Sequence, residues 1–277
     1  MTVRETTCKS ALTKTGGFLA EYTHSLQPYV GCVFQCAYCY VQALPIHQYH
    51  GGEWGEYVDV KVNAPDVLLR ELAALRARGK PVRVFMSSAT DPYQGAEAKY
   101  HITRRCLEAF IAHQPDLLVV QTRSPVVRRD FDLLAQIDRC VLSLTLETND
   151  ETVRRTLTPR CPSIRHRVET LDAAMAAGLA VQVAVSPVLP NDPAAFARLL
   201  AGRCHRVVVD TYFAGDGSCG SRTERLGIRA LYTRHGYDDW YHPDAYRRLY
   251  ETLIDAFGSD RVGFSKEGFN TIGTIGR

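Results

Sequence analysis

Three cysteines fall within eight residues, in Gly31-Cys32-Val33-Phe34-Gln35-Cys36-Ala37-Tyr38-Cys39-Tyr40, a C-x3-C-x2-C spacing. Thiolates this close in sequence converge only if the backbone wraps a small object, and soft thiolates favour zinc or an iron–sulfur cluster. Structural zinc wants a fourth ligand. His47 and His50 follow closely, so a Cys3His zinc site stays in view. A [4Fe–4S] cluster held by three cysteines leaves one iron open to bind and activate a substrate, whereas a fully ligated cluster suits electron transfer. The chain holds no second C-x2-C or C-x3-C unit, so one such centre is expected.

The remaining six of the nine cysteines are scattered. Cys106, Cys140 and Cys204 sit in or beside apolar stretches, where a free thiol behaves as a small hydrophobe. Cys8, Cys161 and Cys219 have no such setting. The odd count and the charged start MTVRETTCKS argue against a disulfide framework and a secretory signal, so a reducing, cytoplasmic location is expected. The 277 residues are 45% hydrophobic and 23% charged, the balance of a globular chain rather than a disordered one. No apolar run approaches the roughly 18 residues of a membrane helix, so no membrane partner is expected. The net charge of +3 shows no strong basic stripe. Arg128-Arg129 and Arg154-Arg155 read as solvated helix faces.

These side chains need a frame. Short apolar, β-branched runs at 82–87, 117–122, 140–146, 179–186 and 206–212 read as strands covered on both faces, with a sixth near 26–30. Between them, 64–78, 103–113, 163–177 and 193–201 carry helical periodicity, with Gly79 and Gly178 as stops. A last helix and strand fall at 245–257 and 261–264. The alternation predicts parallel βαβ units in an α/β fold. One domain over 26–277, after an N-terminal extension over 1–25, is the economical division. In such folds chemistry collects at the carboxyl ends of strands. There the sequence places Ser88-Ala89-Thr90-Asp91, Arg123-Ser124, Glu147-Thr148 and Pro187.

The cysteine motif, placed early and followed by βα units, resembles the signature of the radical S-adenosylmethionine (SAM) superfamily. Tyr29-Val30-Gly31, Cys39-Tyr40-Val41, the stretch from Ser87 to Gln94, Thr122-Arg123-Ser124, Ser143-Leu144-Thr145 and Lys266-Glu267-Gly268-Phe269 bring it closer to the spore photoproduct lyase-like group. The resemblance implies a partial (β/α)6 barrel with a short C-terminal extension. It also implies one [4Fe–4S] cluster, SAM chelated at its open iron, and reductive cleavage to a 5′-deoxyadenosyl radical that takes hydrogen from a substrate. On that likeness Cys32, Cys36 and Cys39 ligate the cluster. Tyr38 lies against the adenine, Thr90 and Asp91 accept from the SAM ammonium, and Arg123 faces its carboxylate. Ser143, Thr145 and Glu147 share one strand face, toward the ribose and sulfonium.

Ser88 falls in the SAM-binding stretch, where the repair lyase places a hydrogen-donating cysteine. A serine O–H does not readily give up a hydrogen atom, so thymine-dimer repair by that route is not expected. Cys219, on the glycine-rich loop Gly217-Ser218-Cys219-Gly220, is the candidate replacement donor. The expected activity is therefore radical SAM chemistry, of a lyase or transferase type, on a small organic substrate such as a nucleoside or biosynthetic intermediate. A flavodoxin- or ferredoxin-type protein would supply the electron. Nucleic-acid lesion repair is the less favoured reading. A non-catalytic iron–sulfur or zinc module is the alternative of another class.

Overall fold

The computed structural model describes residues 1–272, so positions 273–277 of the expected 26–277 domain lie outside the described residues. Eleven strands form two sheets: β1 (Thr2–Thr6), β2 (Leu12–Lys14), β3 (His24–Leu26), β4 (Tyr29–Val30), β5 (Tyr57–Lys61), β6 (Arg83–Met86), β7 (Leu117–Thr122), β8 (Cys140–Thr145), β9 (Ala180–Val185), β10 (Arg206–Val209) and β11 (Val262–Phe264). The larger sheet runs β11-β10-β9-β8-β7-β6-β3-β2, parallel throughout except for the antiparallel β2–β3 pair at its edge. Six of its parallel strands, β3 and β6 to β10, make the expected partial barrel, and β11 is the C-terminal extension. A small sheet, β1-β5-β4, flanks it.

The sixth expected strand, near 26–30, is two. β3 ends at Leu26 inside the barrel and β4 pairs with β5 in the flanking sheet. The separation places the cysteine loop, which follows β4, beside the barrel mouth. β7 and β11 end where expected, β6, β8 and β9 stop one residue short and β10 three, which leaves the following polar residues on loops.

Alternation within the strands sorts the layers, because successive side chains point to opposite faces. Outward Val84, Val120, Leu142, Val183 and Val209 pack against helices Ala64–Ala77, Ile102–Ala112, Ile164–Ala176, Pro193–Leu200 and Arg247–Phe257 in one apolar core. Inward Phe85, Val119, Val141, Ala184 and Val208 form a separate interior cluster with Phe269. Phe269 arrives on helix Ser265–Asn270, directly after β11, and bridges the open side of the barrel. Its carbonyl accepts from Tyr22 Oη at 2.8 Å, its ring lies 5.6 Å from that of Phe18, and Asn270 Nδ2 donates to Phe18 O at 2.9 Å.

Arg128 and Arg155 are exposed as their sequence suggests, but the other arginine of each pair is not part of a solvated face. Arg129 binds the fully buried carboxylates of Glu97 and Asp130, at 2.6 and 2.8 Å. Arg154 is itself buried, and its Nη1 donates to the carbonyls of Thr158, Pro159 and Cys161. Both sit where a turn leaves orphan carbonyls or a carboxylate needs a counter-charge.

Glu97 also accepts from Tyr29 Oη and from the backbone N–H groups of Thr103 and Arg104. It thereby joins β4, the segment after β6 and the start of helix Ile102–Ala112. Removing one member of a buried, hydrogen-bonded ion pair strands its partners and costs about 3–5 kcal/mol. Glu97→Ala is expected to lower unfolding stability by that amount in urea titration; a loss under 1 kcal/mol would show that the network contributes little.

Candidate active site

A cavity of about 400 Å³ opens at the carboxyl ends of the barrel strands. The cysteine loop forms one wall. Gly31, at φ +84, turns the chain out of β4, and a Cβ there would lie 2.4 Å from Tyr57 O, so only glycine fits. The Cys39 N–H donates to Cys36 O at 3.1 Å, and Gln42 Nε2 reaches the Cys36 and Ala37 carbonyls. Cys32, Cys36 and Cys39 all line the cavity as free thiols. Burial pushes the Cys32 thiol up and holds that of Cys39 at about 11. Buried sulfur crowded onto one short loop is a donor set for a thiophilic iron–sulfur group, whose positive charge offsets the cost of burying thiolates. The zinc alternative has weaker support. His47 stacks on Tyr57 and donates or accepts at its hydroxyl, while His50 pairs with Asp59. Among the described residues no three histidine, cysteine or carboxylate groups, the three loop cysteines included, are placed to hold one metal ion, so it is the prior engagement of His47 and His50 that weighs against zinc.

The sequence-expected SAM residues divide. Tyr38, Ser88, Thr90, Asp91, Arg123 and Thr145 line the cavity. Ser88 Oγ accepts from Gln27 Nε2 at 2.9 Å. Thr90 Oγ1 donates to Gly31 O at 2.5 Å, tying the end of β6 to the cysteine loop. Asp91 is buried and already well bonded. Its carboxylate accepts from Thr122 Oγ1 at 2.7 Å and from the N–H groups of Tyr93 and Arg123, both at 2.9 Å. Burial pushes its pKa up and these bonds oppose the rise.

Three expected residues stand elsewhere. Ser143 is fully buried one layer below, bonded to Gln182 Nε2 at 3.1 Å and to Gln121 Oε1 at 3.4 Å, in a polar stratum of the barrel interior. Period-two spacing gave its face but not its depth. Glu147 does not line the cavity but stands behind it. Cys219 is exposed, with φ +53, and is absent from the cavity wall. Its loop turns Gly217, not the thiol, toward the site.

Behind the wall lies a charged assembly. Glu147 is fully buried, with Arg123 at 2.8 Å, Arg167 at 2.6 Å and Tyr38 Oη at 2.8 Å. Burial alone would raise its pKa; the two guanidiniums, helped by hydrogen bonds from Tyr38 and Arg167, overcome that and hold it at about 2. Arg123 Nη1 also reaches Cys36 Sγ at 2.7 Å. Cys161 joins the group without any spacing signal, 125 positions from its partner. Its sulfur lies 3.6 Å from Cys36 Sγ and 3.7 Å from Arg123 Nη1. The carbonyl bond from Arg154 and the bond from Ala37 N–H to Leu157 O hold that loop against the cysteines.

A parallel α/β barrel with three clustered cysteines at its mouth defines a class of cluster-binding enzymes. The chain belongs to the radical SAM superfamily, whose family model matches residues 26–200. An uncharacterised protein of Mycobacterium tuberculosis (strain ATCC 25618 / H37Rv) is 32% identical over 199 residues, 69% of this chain and 57% of that one. One of Methanocaldococcus jannaschii is 29% identical over 166 residues, 60% of each. A protein of Pseudomonas phage M6 described as a radical SAM Nalpha-GlyT isomerase is 25% identical over 210 residues, 73% of this chain and 42% of that one. The chain thus spans about 60% of the length of the first of these relatives it matches. Among solved structures, spore photoproduct lyase complexed with dinucleoside spore photoproduct superposes with a TM-score of 0.66 at 14% identity, over 95% of this chain and 81% of that one. A variant of that enzyme with bound AdoMet and the same dinucleoside gives 0.66 at 15% identity, with the same coverage. At these identities the likeness establishes the fold.

The Glu147 assembly has a pH signature. A carboxyl whose folded pKa is depressed from 4.5 to about 2 contributes stability that is fully present above pH 4.5 and is lost as pH falls toward 2. At 1.36 kcal/mol per unit the contribution is about 3 kcal/mol. Between pH 5 and pH 2 the wild type is expected to lose about 3 kcal/mol more unfolding stability than Glu147→Gln. Parallel pH profiles of the two proteins would refute this.

Proposed function

We propose that this chain binds one [4Fe–4S] cluster through Cys32, Cys36 and Cys39, binds SAM beside it, and transforms a small organic substrate by hydrogen abstraction. The observation that carries the proposal is that the three cysteines share one cavity wall with Tyr38, Thr90, Asp91 and Arg123. With cluster and SAM bound, one-electron reduction supplies a 5′-deoxyadenosyl radical in that cavity. The chain's own residues orient and shield. Asp91 is locked by Thr122 and two backbone N–H groups, so any free lone pair on it has a fixed direction for an ammonium. Arg123, pinned by Glu147, holds one positive charge between Cys36 and the cavity, where a ligand carboxylate gains a charge-assisted bond. Tyr38 stands on the same wall with its hydroxyl anchored to Glu147. A flavodoxin- or ferredoxin-type donor would deliver the electron.

Cys32→Ala, Cys36→Ala and Cys39→Ala are each expected to abolish the bound cluster and all 5′-deoxyadenosine formation after anaerobic reconstitution with iron, sulfide, SAM and dithionite. A triple variant that still holds four irons and makes 5′-deoxyadenosine would refute the ligand set. A wild type that binds the cluster yet never cleaves SAM would favour the non-catalytic module.

The fold likeness to spore photoproduct lyase favours repair as a second reading, and that lyase was solved with a dinucleoside lesion. Against it, the resemblance sets Ser88 where that lyase has its donor cysteine, and Cys219 stands outside the cavity. Incubation of the reduced protein with SAM and dinucleoside spore photoproduct is expected to restore no thymine. Repair at rates matching SAM cleavage would overturn the small-substrate reading and point to another hydrogen donor.

A further inference from the structure

At the end of β10, the cavity wall carries a carboxylate that the SAM assignments leave unused. Asp210 follows β10 and continues its inward face by period two, after Arg206 and Val208. Its backbone is fixed on both sides, its N–H donating to Val185 O at 2.9 Å and its carbonyl accepting from Val188 N–H at 2.8 Å. The side chain lines the cavity and is only 4% exposed. Ser186 Oγ lies 3.3 Å from Oδ2, while Oδ1 is buried with no hydrogen-bond partner. Among the described residues no lysine or arginine makes an ion pair with it. Asp91, at the end of β6, is held by a hydroxyl and two backbone N–H groups; the Ser265 and Ser186 hydroxyls and the Thr211 N–H act on Asp210 but leave its Oδ1 without a partner. Burial pushes its pKa to about 6, opposed by neighbouring hydroxyls and the Thr211 N–H.

Two further features suit a ligand rather than a structural carboxylate. Ser87, at the end of β6 and also on the cavity wall, holds φ +73 and keeps its buried hydroxyl without a partner. Positive φ in a non-glycine residue costs of order 1–3 kcal/mol and concentrates at ligand clamps. Phe18, Phe85 and Phe269 line the same cavity as an apolar wall. Gly215 faces the carboxylate, and a Cβ there would lie 2.0 Å from Oδ2, so glycine preserves the room that Asp210 occupies.

We propose that Asp210 is the specificity-determining residue of a substrate subsite that takes an N–H donor, either an ammonium or a cyclic amide or imide, carried on an apolar ring. The inference rests on the reading of the cavity as a SAM-dependent active site. An unpaired buried carboxylate is costly until a donor completes it, so the subsite selects substrates that bring one.

The test uses the anaerobically reconstituted, SAM-loaded protein and three ring-sized probes: benzylamine for the ammonium, thymine for the imide, and benzoate as an acceptor-only control. Dissociation constants come from calorimetry or saturation-transfer NMR. One of the two donors is expected to bind at least tenfold more tightly than benzoate. Asp210→Ala and, independently, Gly215→Ala are expected to remove that advantage. Asp210→Asn separates the sources, losing benzylamine but keeping thymine within severalfold through its amide oxygen. Far-ultraviolet circular dichroism and iron content verify folding; if Asp210→Ala fails to fold, the Asn and Gly215 variants carry the comparison. Donors that bind no better than benzoate, or a preference that survives the substitutions, would overturn the subsite. SAM cleavage is measured separately, so cleavage without donor preference sinks only the subsite, and donor preference without cleavage sinks only the assigned chemistry.

Discussion

A single buried carboxylate, Glu147, sets the geometry of the cysteine wall. It lies at the end of β8, yet its partners come from three other places: Arg123 after β7, Arg167 on helix Ile164–Ala176, and Tyr38 inside the cysteine motif. One carboxylate facing two guanidiniums leaves a surplus positive charge, and Arg123 directs it at Cys36. That charge works against the burial and the Cys161 contact that push the Cys36 thiol up. The Cys161 contact and burial still hold the Cys36 thiol well above its ordinary range, so the Arg123 charge offsets only part of the cost of ionising that sulfur for a metal. Without Glu147, two buried guanidiniums would face each other, and the wall would lose both its charge balance and its anchor for Tyr38.

The two inward aspartates show how the same residue type serves different ends. Asp91 is held in one direction by Thr122, Tyr93 and Arg123, and so aligns the ends of β6 and β7. Asp210 sits in an equally buried position with an oxygen left over. In a low-dielectric interior an unpaired polar atom is expensive, so two carboxylates alike in burial differ in how much bonding capacity is left over.

The arginines make a related point about charge. Arg129 and Arg154 sit in doublets that look like solvated surface, and one member of each doublet is structural. Arg154 gathers three carbonyls and so fixes the loop that brings Cys161 to Cys36. A guanidinium's planar fork of donors makes it the residue able to close such a turn from a helix.

What the sequence by itself determined was whatever local periodicity and spacing encode. The C-x3-C-x2-C motif marked out the cysteine wall of the cavity. The alternation of apolar runs gave parallel βαβ units, the family resemblance implied the partial barrel, and the position of Thr90, Asp91 and Arg123 after strands put them at its mouth. Period two gave the face of Ser143 and Glu147 but could not say how deep along the barrel axis each lies, because depth depends on strand stagger and on what fills the interior. Only the tertiary structure decided that Ser143 belongs to an internal polar layer, that Cys219 stands outside the cavity, and that Cys161 belongs beside Cys36. It also decided that Asp210 keeps a free oxygen. Each of these depends on contacts between segments far apart in the chain, where hydrogen-bond saturation and burial are settled by packing rather than by neighbouring residues.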